Sequence, residues 1–121
     1  QGGTAAIQGI TIKNELFGRY RNNEDFIQKY IFPGGFLPSM NFIKELTQKN
    51  LLSLNKVNCY SDDYAKTLSV WRSNFLNAWD NIAPLGFDDY FKRMWEFYLS
   101  YCEAGFKSKN IDLIQFSMSN R

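Results

Sequence analysis

The sequence predicts an α/β fold of about three strands and three to four helices, and three observations carry that expectation. Thr4–Ile12 and residues 111–118 are largely apolar on both faces and hold most of their β-branched residues there, as strands buried on both sides of a sheet do. Residues 51–58 alternate Leu52 and Leu54 with Ser53 and Asn55, the period of a half-covered strand. Between these strands, apolar residues recur at helical spacing.

The elements follow in chain order. Residues 4–12 form the first strand, expected to be central, with its neighbours supplied by later or missing chain. A polar stretch from Lys13 to Asn23 comes next. Residues 24–30 read as a short helix: Asn23 can cap it, Glu24 and Asp25 suit its positive end, and Phe26, Ile27 and Tyr30 form a face. Pro33 ends it, and the run from Phe32 through Gly34-Gly35 to Ser39 is a rigid apolar turn whose glycines permit positive φ or close backbone approach. Ser39 can cap a helix to about Lys49, with Phe42, Ile43 and Leu46 inward. After the strand at 51–58, Ser61 can cap a longer helix whose stripe is Tyr64, Leu68, Trp71 and Phe75, with Asp62 and Asp63 complementing its dipole. Pro84 and Gly86 break the chain, and Asp88 can cap the last helix, faced by Phe91, Trp95, Tyr98, Cys102 and Phe106. Glu103 lies off that stripe and is expected to be solvated. A chain that begins and ends on buried strands is expected to be one partial domain over residues 1–121, cut from a larger α/β domain.

Composition excludes several chemistries. The 121 residues contain no histidine, so a Ser-His-Asp triad, a Cys-His pair and a His-ligated metal site are ruled out. No metal site is expected. A formal charge of +2 gives no reason to expect nucleic acid as a partner. Cys59 and Cys102 cannot form a disulfide framework or a zinc spacing, and both are expected to be buried, reduced thiols in a cytosolic setting. No Gly-x-Gly-x-x-Gly after a strand and no P-loop is present. The unusual term is aromatic content, 17% of the chain, which fits either helix packing or the wall of an apolar cavity.

Four stretches occur together in order: Ile7-Gln8-Gly9-Ile10-Thr11-Ile12, then Asp25 to Ser39 with Tyr30-Ile31-Phe32-Pro33-Gly34-Gly35-Phe36-Leu37-Pro38-Ser39, then Tyr64-Ala65-Lys66-Thr67-Leu68 with Trp71, and Tyr98-Leu99-Ser100-Tyr101-Cys102-Glu103-Ala104-Gly105-Phe106. Over essentially the whole chain they resemble the C-terminal part of the cyclopropane-fatty-acyl-phospholipid synthases, the family that includes the mycolic acid cyclopropane synthases. The resemblance implies the C-terminal half of a Rossmann-like class I methyltransferase fold, with the last strand antiparallel between the other two. It implies S-adenosylmethionine as cofactor, bound upstream of Gln1, and transfer of its methyl group to a cis double bond of an unsaturated phospholipid acyl chain, with ring closure assisted by bicarbonate.

By the same resemblance, Gln8, Ile10 and Tyr64 occupy bicarbonate-site positions, and Phe32, Phe36, Leu68, Cys102 and Phe106 occupy acyl-chain positions. Gln8 departs from the family's histidine: an amide can hydrogen-bond an anion but can neither carry positive charge nor act as a base, so methyl transfer without ring closure is a real alternative. Two further readings stay open: a methyltransferase of the same fold on another apolar substrate, and a stand-alone apolar-ligand or interaction module without catalysis. The implied setting is cytoplasmic, with peripheral contact at the inner membrane surface. The edge left by a missing N-terminal half is expected to invite a homodimer or strand exchange.

Overall fold

The computed structural model describes residues 2–120. It contains β1 (Thr4–Ile12), α1 (Asn14–Arg21), α2 (Phe26–Tyr30), α3 (Met40–Lys49), β2 (Leu52–Cys59), α4 (Ser61–Asn77), α5 (Trp79–Ile82), a 3₁₀ turn (Ala83–Leu85), α6 (Asp89–Lys107) and β3 (Ile111–Asn120). The sheet order is β1-β3-β2, with β3 antiparallel to both neighbours. That is the arrangement the family resemblance implies, whereas the expectation from strand patterning that β1 is central is corrected: β3 takes the central place.

β3 is therefore the central strand, and β1 is an edge among the described residues. The expectation that β1 is buried on both faces holds only at its carboxyl end: Thr4 to Gln8 are exposed, and burial begins around Ile10 and Thr11. An apolar strand reports what it can pack against, and the amino half of β1 pairs with β3 but stays exposed. The described residues form six helices: Trp79–Ile82 adds the one-turn α5, and the polar stretch after Lys13 folds as α1. Its apolar residues are few, but Phe17 lies 5.7 Å from Phe36 and 5.4 Å from Phe42, ring centre to ring centre, so packing rather than propensity holds the helix.

Caps decide where the next elements start. α2 begins two residues later than expected because Asp25, not Asn23, caps it: the Asp25 carboxylate accepts from the Gln28 amide while the Gln28 side chain accepts from the Asp25 amide. Ser39 does cap α3, accepting from the Phe42 amide. In α3, however, Leu46 points outward and Thr47 takes the buried position beside Ile43. Ser61 does not cap α4; Tyr60 precedes the helix without a side-chain cap, and the Ser61 hydroxyl instead accepts from Lys109 Nζ, which also pairs with Asp62. Asp88 caps α6 as expected.

The Phe32–Ser39 turn matches its glycines. Gly34 has a φ of 79°, and a Cβ on Gly35 would lie 2.9 Å from the Phe32 carbonyl oxygen. The turn is tied down by the Leu37 amide donating to the Tyr20 hydroxyl, by Gln28 Nε2 donating to the Gly35 carbonyl, and by the Ile12 amide donating to the Pro38 carbonyl.

α4 and α6 pack against one another and reach β3, giving a core of Ala65, Leu68, Leu99, Cys102 and Phe106. Glu103, expected to be solvated, is 7% exposed in this helix pair. It is held there by Arg72 from α4 at 3.4 Å and by Lys107 one turn along α6, while Arg72 also donates to Ser100. Burial of a carboxylate between two cations explains the departure: the charges stay partly solvated while the acid bridges the helices. Cys59, expected to be buried, is exposed at the carboxyl end of edge strand β2, and Cys102 is buried.

Candidate functional site

The apolar cluster lies where β1 and β2 end and α4 begins. Strand alternation turns Ile10 of β1, and Ile111 and Leu113 of β3, to one face of the sheet, where all three pack against the α4–α6 core. Ile27 from α2 packs there too. The floor is closed: Leu68 is 1% exposed, Phe106 0% and Cys102 8%. Around it stands a rim of rings, Tyr64, Trp95 and Tyr98 half-buried and Trp71 and Phe32 exposed. Tyr64 lies edge-on to Phe106 at 4.9 Å and to Trp71 at 5.9 Å, Tyr98 packs on Trp95 at 5.0 Å, and Phe32 meets Tyr98 edge-on at 6.3 Å.

Ionisation in this cluster is suppressed. Burial, and then the Asp25 charge, push the Cys102 thiol up to about 11. Burial, then Cys102 and Tyr64, push the Tyr98 phenol up to about 12. Tyr64 is also raised, first by burial and then by Cys102. Around neutral pH all three therefore keep their protons: Cys102 is no thiolate nucleophile, and Tyr64 can only be a neutral hydrogen-bonding phenol. Such a surface can hold an apolar chain and offer a hydroxyl to an anion.

The expected site residues divide into two groups. Ile10, Tyr64, Leu68, Cys102 and Phe106 come together in this one cluster, and Phe32 reaches it through Tyr98. Gln8 stands apart: it is exposed, and its Oε1 accepts from Gln115 Nε2 at 2.8 Å across the β1–β3 pair. It lines a shallow groove of about 330 Å³ with Lys56, Asn58, Gln115 and Ser117. Phe36 packs with Phe17, Tyr20 and Phe42.

An adjoining cleft of about 610 Å³ opens between α1, α2 and α6; it shares Ile27 and Ile111 with the cluster and has Leu16, Tyr20, Leu37 and Tyr101 among its other walls. None of Leu68, Cys102 and Phe106 lines it. Tyr20, which holds the Phe32–Ser39 turn and lines this cleft, is a neighbour of the candidate site that sequence reasoning missed. The signal was the spacing of Leu16, Phe17 and Tyr20 on one helical face.

Among the described residues, no group of three His, Cys, Asp or Glu is placed to hold a metal ion. The strand ends also lack a nucleoside cradle. β1 passes into α1 through Lys13 and β2 into α4 through Tyr60, with no glycine at either junction to let backbone close on a ligand.

The sequence profile described as mycolic acid cyclopropane synthetase matches residues 1–116. Tuberculostearic acid methyltransferase UfaA1 of Mycobacterium tuberculosis is 44% identical over 118 residues, 97% of this chain and 28% of that protein. Cyclopropane-fatty-acyl-phospholipid synthase of Escherichia coli is 37% identical over 98 residues, 81% of this chain and 25% of that protein. The crystal structure of mycolic acid cyclopropane synthase CmaA1 complexed with SAH and CTAB superposes with a TM-score of 0.85 at 26% identity, covering 98% of this chain and 45% of that one. The chain thus spans between a quarter and a third of the curated relatives it matches and under half of the solved one.

Proposed function

This chain belongs to the mycolic acid cyclopropane synthetase family, and on that premise we propose that it is the acyl-binding, C-terminal part of an S-adenosylmethionine-dependent methyltransferase acting on cis double bonds of unsaturated phospholipid acyl chains. The observation that carries this reading is the rim of Tyr64, Tyr98 and Phe32 over a closed apolar floor, on a chain matched by the family over residues 1–116. Each buried CH₂ contributes about 0.8 kcal/mol, so a long acyl chain laid along such rings gains most of its binding energy without any charged contact.

The residues of this chain do not fit an S-adenosylmethionine site, given the strand-to-helix junctions at Lys13 and Tyr60, so no step through the sulfonium is derived from them. The cofactor belongs, in this reading, to chain outside these 121 residues. The exposed edge of β1 is the place where that remaining sheet would pair, or where a second copy would in its absence. A concentration-independent monomer by light scattering would argue against pairing of copies. No helix among the described residues is long and apolar enough to cross a bilayer, and the proposed setting is cytoplasmic, peripheral to the inner membrane surface.

A second reading, methyl transfer that ends in a branch rather than a ring, is favoured by Gln8. A bicarbonate site here would need a polar group joining Ile10 and Tyr64, but the Gln8 amide is exposed and engaged by Gln115. The 44% identical relative is named a methyltransferase, whereas the 37% identical one is named a synthase of cyclopropane fatty acyl phospholipids. The complete reading frame, supplied with S-adenosylmethionine and unsaturated phospholipid vesicles, is expected to yield lipid heavier by one methylene in the mass spectrum. Unchanged lipid under turnover conditions contradicts both readings. In the same assay, Gln8→His is expected to raise ring products from zero if the second reading holds, and rings already formed by the unaltered protein would overturn it.

A further inference from the structure

The apolar cluster ends on a polar pair. Ile10 and Leu113 stand opposite one another in the β1–β3 register and both pack into the cluster. The next pair on the same face of the sheet is Gln8 and Gln115, one alternation step of about 6.8 Å further along. The two amides have different standing. Gln115 lies on the central strand, held from both sides, whereas Gln8 lies on an edge. Gln115 Nε2 donates to Gln8 Oε1 at 2.8 Å, and Asn58, opposite Gln115 on β2, shares no side-chain hydrogen bond with it among the described residues. A primary amide carries its oxygen and its NH₂ on opposite sides of one carbon, so an oxygen turned to β3 turns the Gln8 NH₂ away from it. No acid competes for that NH₂. β1 and β2 contain none, Asp112 of β3 alternates to the other face, and no carboxylate lines the groove around the pair.

We propose that Gln115 is a positioning residue that fixes position 8 as a hydrogen-bond donor: by engaging the Gln8 oxygen it leaves the NH₂ to face this end of the cluster. The inference rests on the second reading above, in which position 8 decides between ring and branch. Ring closure turns a C–H electron pair of the methylated chain into the last C–C bond and releases that proton, which a neutral imidazole can take and an amide NH₂ cannot. Gln115 therefore bears on the product without touching the substrate. The same side chain suits an imidazole at position 8: Gln115 Oε1 can accept from the one ring N–H, which leaves the bare ring nitrogen as proton acceptor. A gain of rings by Gln8→His accordingly depends on Gln115.

The test begins with the side-chain amides of this chain in nitrogen-15 NMR, a signal that needs neither cofactor nor lipid. One Nε2 proton of Gln115 is expected to exchange with water at least threefold more slowly than either Nε2 proton of Gln8. Gln115→Glu, whose carboxylate only accepts, is expected to turn the pair around and slow one Gln8 proton at least threefold. Both side chains are exposed, so the variant does not endanger the fold. Equal exchange in the two amides, or a Gln8 amide indifferent to Gln115→Glu, overturns the proposal. The second arm uses the complete reading frame with S-adenosylmethionine and unsaturated phospholipid vesicles. There, Gln115→Leu added to Gln8→His is expected to lower the ring share of methylated lipid at least tenfold relative to Gln8→His alone. No rings from Gln8→His, or a ring share undiminished by Gln115→Leu, overturns the proposal as well. Lipid that gains no mass in any variant contradicts the function proposed above, and the amide exchange then decides the role of Gln115 by itself.

Discussion

The two long faces of α6 are built from the same kind of side chain and meet opposite surroundings. Trp95, Leu99, Cys102 and Phe106 face α4 and the sheet, and their deepest member is fully buried. Tyr90, Phe97 and Tyr101 recur at helical spacing on the other side and stay exposed, beside Phe26 and Tyr30 of the short α2 and, at Tyr101, the cleft against α1. Aromatic content and period therefore do not distinguish a core from an exposed surface. What distinguishes them is whether another element of the chain arrives to cover the rings, and here β3 and α4 cover one face only.

The comparison breaks most readily on the inner side. Phe106→Ala removes a ring in contact with Tyr64 from a fully buried position, and a loss of about 3–5 kcal/mol is expected in urea unfolding. A loss below about 1 kcal/mol would mean that the inner face is not a packed core. Alkaline pH tests the same face through Cys102. Its thiol ordinarily loses its proton near 9.0 but holds it to about 11 when folded, so the unfolded chain releases first and stability falls as pH rises between those values, by an amount of the order of 2 kcal/mol. Tyr98, raised from 10.0 to about 12, extends the decline upward. Chemical denaturation at about pH 8 and about pH 10.5 reads the slope, and Cys102→Ala is expected to flatten its lower part.

Smaller effects sharpen the boundary between the faces. Glu103→Gln leaves Arg72 and Lys107 unpaired, but both cations reach solvent, so about 1–2 kcal/mol is expected by the same unfolding measurement. Asp25→Ala removes the cap that sets α2 beside Phe97, with an expected loss of about 1 kcal/mol and faster amide exchange in α2. Phe97→Ser is expected to change stability by no more than about 0.5 kcal/mol, because the outer face supports no core.

Strand identity, the cap at Ser39, the stop at Pro33 and the inner stripe of α6 were legible in the sequence because each rests on a local signal, whereas strand order came only from the family resemblance. α1 was not, since its few apolar residues gain their meaning from Phe36 and Phe42, which are distant in sequence. The burial of Glu103 was hidden for the same reason: it depends on Arg72 crossing from another helix. Of the expected site, Ile10, Tyr64, Leu68, Cys102 and Phe106 meet because strand alternation and helical spacing agree on one face. Gln8 shares that alternation with Ile10 but lies two residues back, beyond the helices, where Gln115 engages it instead. The outer stripe gives no distinct signal because its rings follow the period of any buried helix face.

Hydroxyl-radical footprinting reads both faces of α6 in one measurement, because aromatic rings are oxidised wherever solvent reaches them. Oxidation is expected at Tyr90, Phe97 and Tyr101 and not at Phe106. Outer rings that resist oxidation, or a Phe106 that reacts, would contradict the contrast between the two faces.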